Sequence, residues 1–402
     1  MLNECEKELK NEFSKIDELC LKNSKRVIDA FHEYNISEND LNGTLGYGYN
    51  DSGRDKIDNI FASIFGAEAG LVRNQFISGS HAINVCLNAV LRPGDSLLSI
   101  TGTPYDTLKE VIGIIPNNSS LISYGIKYKE IDLINNDFDY DSIKNELKTD
   151  IKVIHIQRSR GYSLRDSITI DKLEKVIKFI KNINKNIIIF VDNCYCEFVE
   201  EKSPIEVGCD LCVGSLIKNL GAGIATNGAY VVGRKDLIDL CGERLTLPGE
   251  GKHVGPSENA NRKFLLGIYL APSVVASSLK ISLLTASIFE KLGYKVSPTT
   301  KDKRADIVQI IYFNSKEELI KYARIIQSNG AIDSNVTPVP SPMPGYKDEI
   351  IMASPSFTQG SSIELSCDGP LKEPYVLFQQ GGLTYEYGKL TLMNVIKEFN
   401  KE

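Results

Sequence analysis

The sequence predicts an α/β protein: a mostly parallel sheet covered by helices, followed by a smaller C-terminal α+β unit. Three observations lead there. Short apolar runs such as 187–192 alternate with amphipathic segments of helical period. Those runs lack polar alternation, so both faces of their sheet are covered. Beyond a long apolar stretch at 261–292, strand-like runs separated by Pro and Gly turns take over.

In chain order, residues 4–33 carry Leu9, Phe13, Ile16, Leu19 and Ile28 at helical spacing between charged faces. Residues 42–53 (NGTLGYGYNDSG) read as a Gly- and Tyr-rich loop, and 55–66 as a helix. Phe76–Ile77 leads as a strand end into Ser78-Gly79-Ser80-His81, which opens a helix over 82–91. Strands follow at 96–100, 151–156, 187–192, 211–213 and 229–232, with helices at 105–112 and 171–180 between them. A long helix at 261–292 is expected to kink at Pro272. Further strands are expected at 294–297, 306–313, 362–366 and 375–379, with a turn at 338–345. The expected units are a helical arm (1–45) packed on the small domain, a large domain (46–270) and a small domain (271–402).

Composition narrows the function. The 402 residues are 42% hydrophobic and carry a net charge of −6, so no basic surface argues for nucleic acid or an anionic membrane. The first residues lack a signal-peptide core, and the apolar run 264–275 is too short to span a bilayer, so a cytoplasmic location is expected. Nine cysteines in such a chain favour free thiols over disulfides. Cys194, Cys196, Cys209 and Cys212 have spacing that suits zinc, but burial as structural thiols is the stronger reading, and no metal is expected.

Open α/β sheets bind ligands at the carboxyl ends of their strands, and three features converge there. Gly79, Ser80 and His81 open a helix N-terminus, a natural phosphate site. Asp192 closes one strand; Ser215 and Lys218 follow the next. One phosphate cup, one lysine and one strand-end carboxylate match the needs of pyridoxal 5′-phosphate. The lysine would form an imine with its aldehyde, and the carboxylate would keep its ring nitrogen protonated. Tyr105, after Thr101-Gly102-Thr103-Pro104, is placed to stack on the ring. No phosphate-loop motif is present, and a dinucleotide G-x-G-x-x-G starting at Gly221 fails at Thr226.

The segments GYGYNDSGRD (46–55), FGAEAGLVRNQFISGSHAI (65–83), QRSRGYSLR (157–165), VDNCYCEFVE (191–200) and GSLIKN (214–219) belong together. With 91–113, 343–370 and 379–389 they closely resemble the bacterial methionine gamma-lyase-like family, also labelled "aluminium resistance protein" or cystathionine beta-lyase-like. The resemblance implies the aspartate-aminotransferase-like fold (type I of the pyridoxal-phosphate enzymes) and a dimer or homotetrameric dimer of dimers. It implies a carbon–sulfur lyase acting on a sulfur-containing amino acid through a Lys218 aldimine, with no nucleic-acid or membrane partner. Lys218 matches the aldimine lysine, Asp192 the pyridinium partner, Ser215 a phosphate ligand, and Gly79, Ser80 and His81 the phosphate turn. By analogy Tyr105 resembles the stacking tyrosine and a candidate acid for the leaving sulfur, while Tyr49 and Arg54 resemble residues reaching a neighbouring subunit's phosphate. Arg304, Arg160 and Arg165 compete for the substrate carboxylate. Leu220, Ala222 and Cys196 depart from the family's usual Pro, Gly and Gly, which adds bulk expected near the cofactor edge. Aminotransferase, aldolase or decarboxylase chemistry on the same scaffold stays open, as does a non-catalytic metal or stress-resistance role.

Overall fold

The structure, a computed structural model, describes residues 1–342 and 348–400. Its first sheet contains β1 (Ala69–Arg73), β2 (Ser96–Ser99), β3 (Lys127–Glu130), β4 (Val153–Gln157), β5 (Ile188–Asp192), β6 (Leu211–Ser215) and β7 (Ala229–Gly233). They lie in the order β1-β7-β6-β5-β4-β2-β3. Strands β2 to β6 pair in parallel, and β7 runs antiparallel to both β6 and β1. The second sheet is antiparallel throughout: β8 (Lys295–Ser297), β9 (Gln309–Tyr312), β10 (Ile350–Ala353), β11 (Ser366–Pro370) and β12 (Val376–Gln380), in the order β10-β11-β12-β9-β8.

The apolar strands work as their composition demands. On β5, Ile189 and Val191 enter one core while Ile188 and Phe190 enter the other. The first core is closed by Ile57 of α3 (Ser52–Phe65) and Leu173 of α7 (Ile170–Ile183). The second is closed by Val85 of α4 (Gly79–Val90), Leu108 of α5 (Asp106–Ile112) and Leu237 of α8 (Lys235–Leu245). Each such side chain contributes about 1.5–3 kcal/mol by leaving water. A short helix, α6 (Tyr140–Glu146), precedes β4.

One helix, α9 (Ala260–Lys291), serves both sheets: Phe264 and Ile268 join the first core, and Ile281, Leu284 and Phe289 a third core under the second sheet. It spans the position of the expected domain boundary and continues through Pro272, so the expected kink does not divide it. Among the described residues α9 alone is long and apolar enough to cross a membrane, and 67% of its most apolar window is buried inside the protein. The arm forms two helices, α1 (Leu2–Glu8) and α2 (Lys10–Glu33). Cys5 and Leu9 enter the third core, but Val27 and Ala30 enter the first, so the arm bridges both units. Lys389, on the last helix α11 (Tyr385–Phe399), pairs with Glu6 at 2.7 Å; α10 (Lys316–Ser328) also packs into the third core.

Three readings shift. Phe76–Ile77 is not a strand end: Ile77 is 80% exposed, and the strand lies earlier, at β1. The strand expected at 362–366 begins at Ser366 instead. Strands β3 and β10 lie outside every expected run, and the last residues of the expected 338–345 turn lie outside the described residues.

Candidate active site

Parallel pairing sets Gln157 beside Asp192 and Asp192 beside Val213, so β4, β5 and β6 end at one edge with Gln157, Asp192 and Ser215. The N-terminus of α4 meets that edge. Ser78 caps it, its Oγ accepting the His81 N–H at 3.1 Å. The N–H groups of Gly79 and Ser80 find no acceptor among the described residues, and the buried Ser215 hydroxyl has no partner. A Cβ on Gly79 would stand 3.1 Å from the Ser215 Cβ and 3.6 Å from the Cys194 Sγ, so glycine keeps this concavity open. Free N–H groups, a helix dipole and an orphaned hydroxyl around a small concavity fit a phosphate monoester. The His81 side chain turns elsewhere: its Nδ1 accepts the Ile77 N–H at 3.2 Å, its ring stands edge-on to Phe76, and burial lowers its pKa. Ser80 shares a 2.6 Å hydrogen bond with Thr107.

Asp192 is buried, one carboxylate oxygen accepting the Cys194 N–H at 3.1 Å. On β4, His155 has both ring nitrogens buried without a partner, and burial pushes its pKa down to about 4 although Asp192 pulls it up. An anionic oxygen at a strand end, walled from water, fits a protonated ring nitrogen.

Lys218 sits in the loop 216–228, which β6 and β7 close at its base through Ser215 opposite Ala229 and a 3.0 Å bond from the Leu216 N–H to the Gly228 carbonyl. Its Nζ lies 4.1 Å from the centre of the Tyr195 ring and makes no hydrogen bond or ion pair among the described residues. Burial alone lowers its pKa, but Cys194, Tyr195, Tyr105 and Asp192 outweigh it and hold the amine above the usual lysine range. Burial raises the pKa of the Cys194 thiol and keeps it neutral. Nearby, Glu197 accepts the Tyr230 hydroxyl at 2.9 Å on one oxygen and has no partner on the other. Burial pushes its pKa up to about 8. Gly214 makes room for it, since a Cβ there would meet Glu197 at 2.4 Å.

Tyr105 caps the start of α5; its N–H donates to Gln157 at 2.9 Å, and its ring stacks on Tyr162 with centres 6.0 Å apart. Tyr162 in turn bonds Asp368 on β11. Tyr105, Gln157, Arg160 and Tyr162 line a cleft of about 480 Å³. The three candidate arginines separate here. Arg165 lines the same cleft, but its guanidinium donates to the carbonyls of Gln157, Ser159 and Asp166. Arg304 bonds Gln309 at 2.6 Å and leaves its Nε and Nη1 without a partner among the described residues, but it lines a different groove beside α2, about 780 Å³. Arg160 lines the cleft, holds Ser297 at 3.1 Å and lies 3.7 Å from the Asp166 carboxylate, and its Nε has no partner among the described residues.

Arg54 is buried, donating to the carbonyls of Gly48, Gly255 and His253 of its own chain, while Tyr49 is 52% exposed beside Tyr47. Of that pair only Tyr49 is open to a neighbour. Leu220 and Ala222 pack into the first core, so the bulk expected at the cofactor edge goes inward. All four cysteines of the suggestive cluster are buried; the Cys209 thiol donates to the Leu211 carbonyl at 3.0 Å. Among the described residues no three metal-capable side chains gather. The sequence reading missed Tyr195, Tyr162, Gln157 and Glu197. Only the fold brings them to one edge.

Comparison with known proteins gives the family. Residues 1–400 match the methionine gamma-lyase family model. A Bacillus subtilis protein of uncharacterised function, YnbB, is 45% identical over 98% of this chain and 94% of its own. A Listeria innocua structure, a proposed cystathionine beta-lyase involved in aluminium resistance, is 45% identical over 98% of each chain, with TM-score 0.97. A carbon–sulfur lyase involved in aluminium resistance from Clostridium novyi is 41% identical over 99% of this chain and 94% of its own, with TM-score 0.95. The chain belongs to the methionine gamma-lyase family of pyridoxal 5′-phosphate-dependent carbon–sulfur lyases.

Proposed function

We propose that this protein cleaves the carbon–sulfur bond of a sulfur-containing amino acid such as methionine or cystathionine, with Lys218 as the lysine that carries its cofactor. The observation that carries the reading is a Lys218 amine without a polar partner, on the same sheet edge as the open Gly79–Ser215 concavity and the buried Asp192. When bound, pyridoxal 5′-phosphate supplies a carbonyl carbon that amines attack and a ring that takes up the electrons left on Cα.

The chain's residues divide the remaining work. Gly79 and Ser80 through their N–H groups, and Ser215 through its hydroxyl, hold the phosphate. Asp192 holds the proton on the ring nitrogen. Lys218, in its neutral form, takes the Cα proton. Tyr105 stands in the cleft wall, where its hydroxyl hands a proton to the leaving sulfur. Arg160 receives the substrate carboxylate with its unpartnered Nε. Self-association that brings the exposed Tyr49 to a second subunit's phosphate belongs to the same proposal.

The test is a visible spectrum of purified protein before and after borohydride, with wild type and Lys218→Ala. Cofactor fixed covalently on Lys218 in the wild type, and no fixation in the variant, is expected; fixation in the variant refutes the assignment. Sulfur amino acids assayed for pyruvate or 2-oxobutyrate then separate β- from γ-elimination.

A further inference from the structure

We propose that Tyr195 is the positioning residue for Lys218: its ring face seats the lysine amine, and its hydroxyl ties that ring to the second-sheet unit. The inference rests on the reading of Lys218 as the cofactor lysine. Three observations carry it. The Lys218 Nζ stands 4.1 Å from the ring centre and has no polar partner among the described residues. Tyr195 has φ of +70°, a left-handed conformation that a bulky side chain rarely adopts. That conformation is held from outside its own turn. The Tyr195 carbonyl accepts the Ile307 N–H at 3.2 Å, and its hydroxyl accepts from Ser362 at 3.0 Å.

Packing alone accounts for a half-buried ring but not for these anchors. Both come from the stretch before β9 and the stretch before β11, while the lysine comes from the β6–β7 loop. The ring thus lies between the lysine and the second-sheet unit, and packs against both the first core and the Val308–Phe378 cluster. A ring face attracts an ammonium and not a neutral amine, so the seat favours the protonated lysine. The other groups acting on Lys218 are Asp192 and Cys194 from the β5 end, Glu197 from the turn after it, and Tyr105 from the start of α5. They remain in place when Tyr195 is changed, so a titration isolates the ring.

The experiment compares full-length wild type with Tyr195→Leu, Tyr195→Phe and Ser362→Ala. Two readouts are followed against pH: the visible absorption of the cofactor-loaded protein, and acetylation of Lys218 by mass spectrometry after the cofactor is removed. In the stripped chain Tyr195→Leu is expected to weaken proton binding at Lys218 about tenfold, and Tyr195→Phe to stay within about twofold of wild type. Ser362→Ala should shift the midpoint in the same direction as Tyr195→Leu, by less. A Tyr195→Leu midpoint equal to wild type overturns the proposal; if that variant does not fold, an unchanged Ser362→Ala midpoint overturns it. Borohydride fixation on wild-type Lys218 is scored separately. Its failure removes the reading of Lys218 itself, whereas fixation with unmoved midpoints removes only the role of Tyr195.

Discussion

Glu197 gives a sharp test of the buried site. Its carboxyl is 2% exposed, one oxygen has no partner, and burial lifts its pKa from 4.5 to about 8. The folded protein therefore holds a proton that the unfolded chain releases between those values. The stability this proton supports is complete below about pH 4.5 and is lost as pH rises toward 8. A shift of three to four units amounts to roughly 4–5 kcal/mol at its limit, and to a slope near 1.4 kcal/mol per pH unit in mid-range. Glu197→Gln imitates the protonated acid at every pH. Its extra amide hydrogens lack an acceptor, which costs about 1–3 kcal/mol independently of pH. The informative quantity is therefore the difference between variant and wild type, followed by chemical denaturation at pH 5.5, 7 and 8.5 (order-of-magnitude spacing of the expected window). His155 and Asp368 also titrate abnormally, but they are common to both proteins and cancel. The variant should gain on the wild type steadily as pH rises. A difference that stays flat across the range refutes the claim that Glu197 is buried as a neutral acid.

Other outcomes follow from the same geometry. Gly79→Ala puts a Cβ 3.1 Å from that of Ser215, and should lower cofactor retention about tenfold in equilibrium dialysis while the fold, read by circular dichroism, persists. Arg160→Lys keeps the charge but loses the planar fork; KM for the amino acid should rise about tenfold to a hundredfold, with kcat less affected. His155 is held neutral with a pKa near 4, so its contribution is lost as pH falls from 6.5 toward 4. His155→Leu should flatten that acid limb in a thermal-midpoint series. Arg165→Lys strips several backbone carbonyls of donors and should destabilise the protein by about 1–3 kcal/mol in denaturant titration.

The central strands were legible because β4, β5 and β6 are buried on both faces and are written almost wholly in apolar residues. The edge strand β3 (KYKE) is mostly exposed, so nothing apolar marks it. The strand β11 (SCDGP) is buried but made of small and polar residues, and the expected run came out four residues early. That Asp192, Ser215 and Lys218 meet at one sheet edge was legible because each closes or follows an apolar run, and parallel strands end at a common edge. Tyr195 could not. A tyrosine between two cysteines has no sequence mark of its own; its left-handed backbone and its bond to Ser362 exist only after distant segments meet. Arg165 and Arg304 looked equivalent to Arg160 as letters; only the folded chain shows the Arg165 guanidinium committed to backbone carbonyls and Arg304 facing a different groove.

The loop that carries Lys218 leaves the sheet by β6 and re-enters it by the antiparallel β7. Both stems are zipped together, and the tip between them is itself seated: Leu216, Leu220, Ala222 and Ala225 lie in the first core, and a Cβ on Gly221 would stand 1.5 Å from the Leu216 carbonyl oxygen. The amine therefore stands on a fixed mount, and a substitution at those inward positions disturbs the core before it re-aims Lys218. Freedom to vary without touching the core is confined to the outward residues of the loop, such as the exposed Thr226 and Asn227.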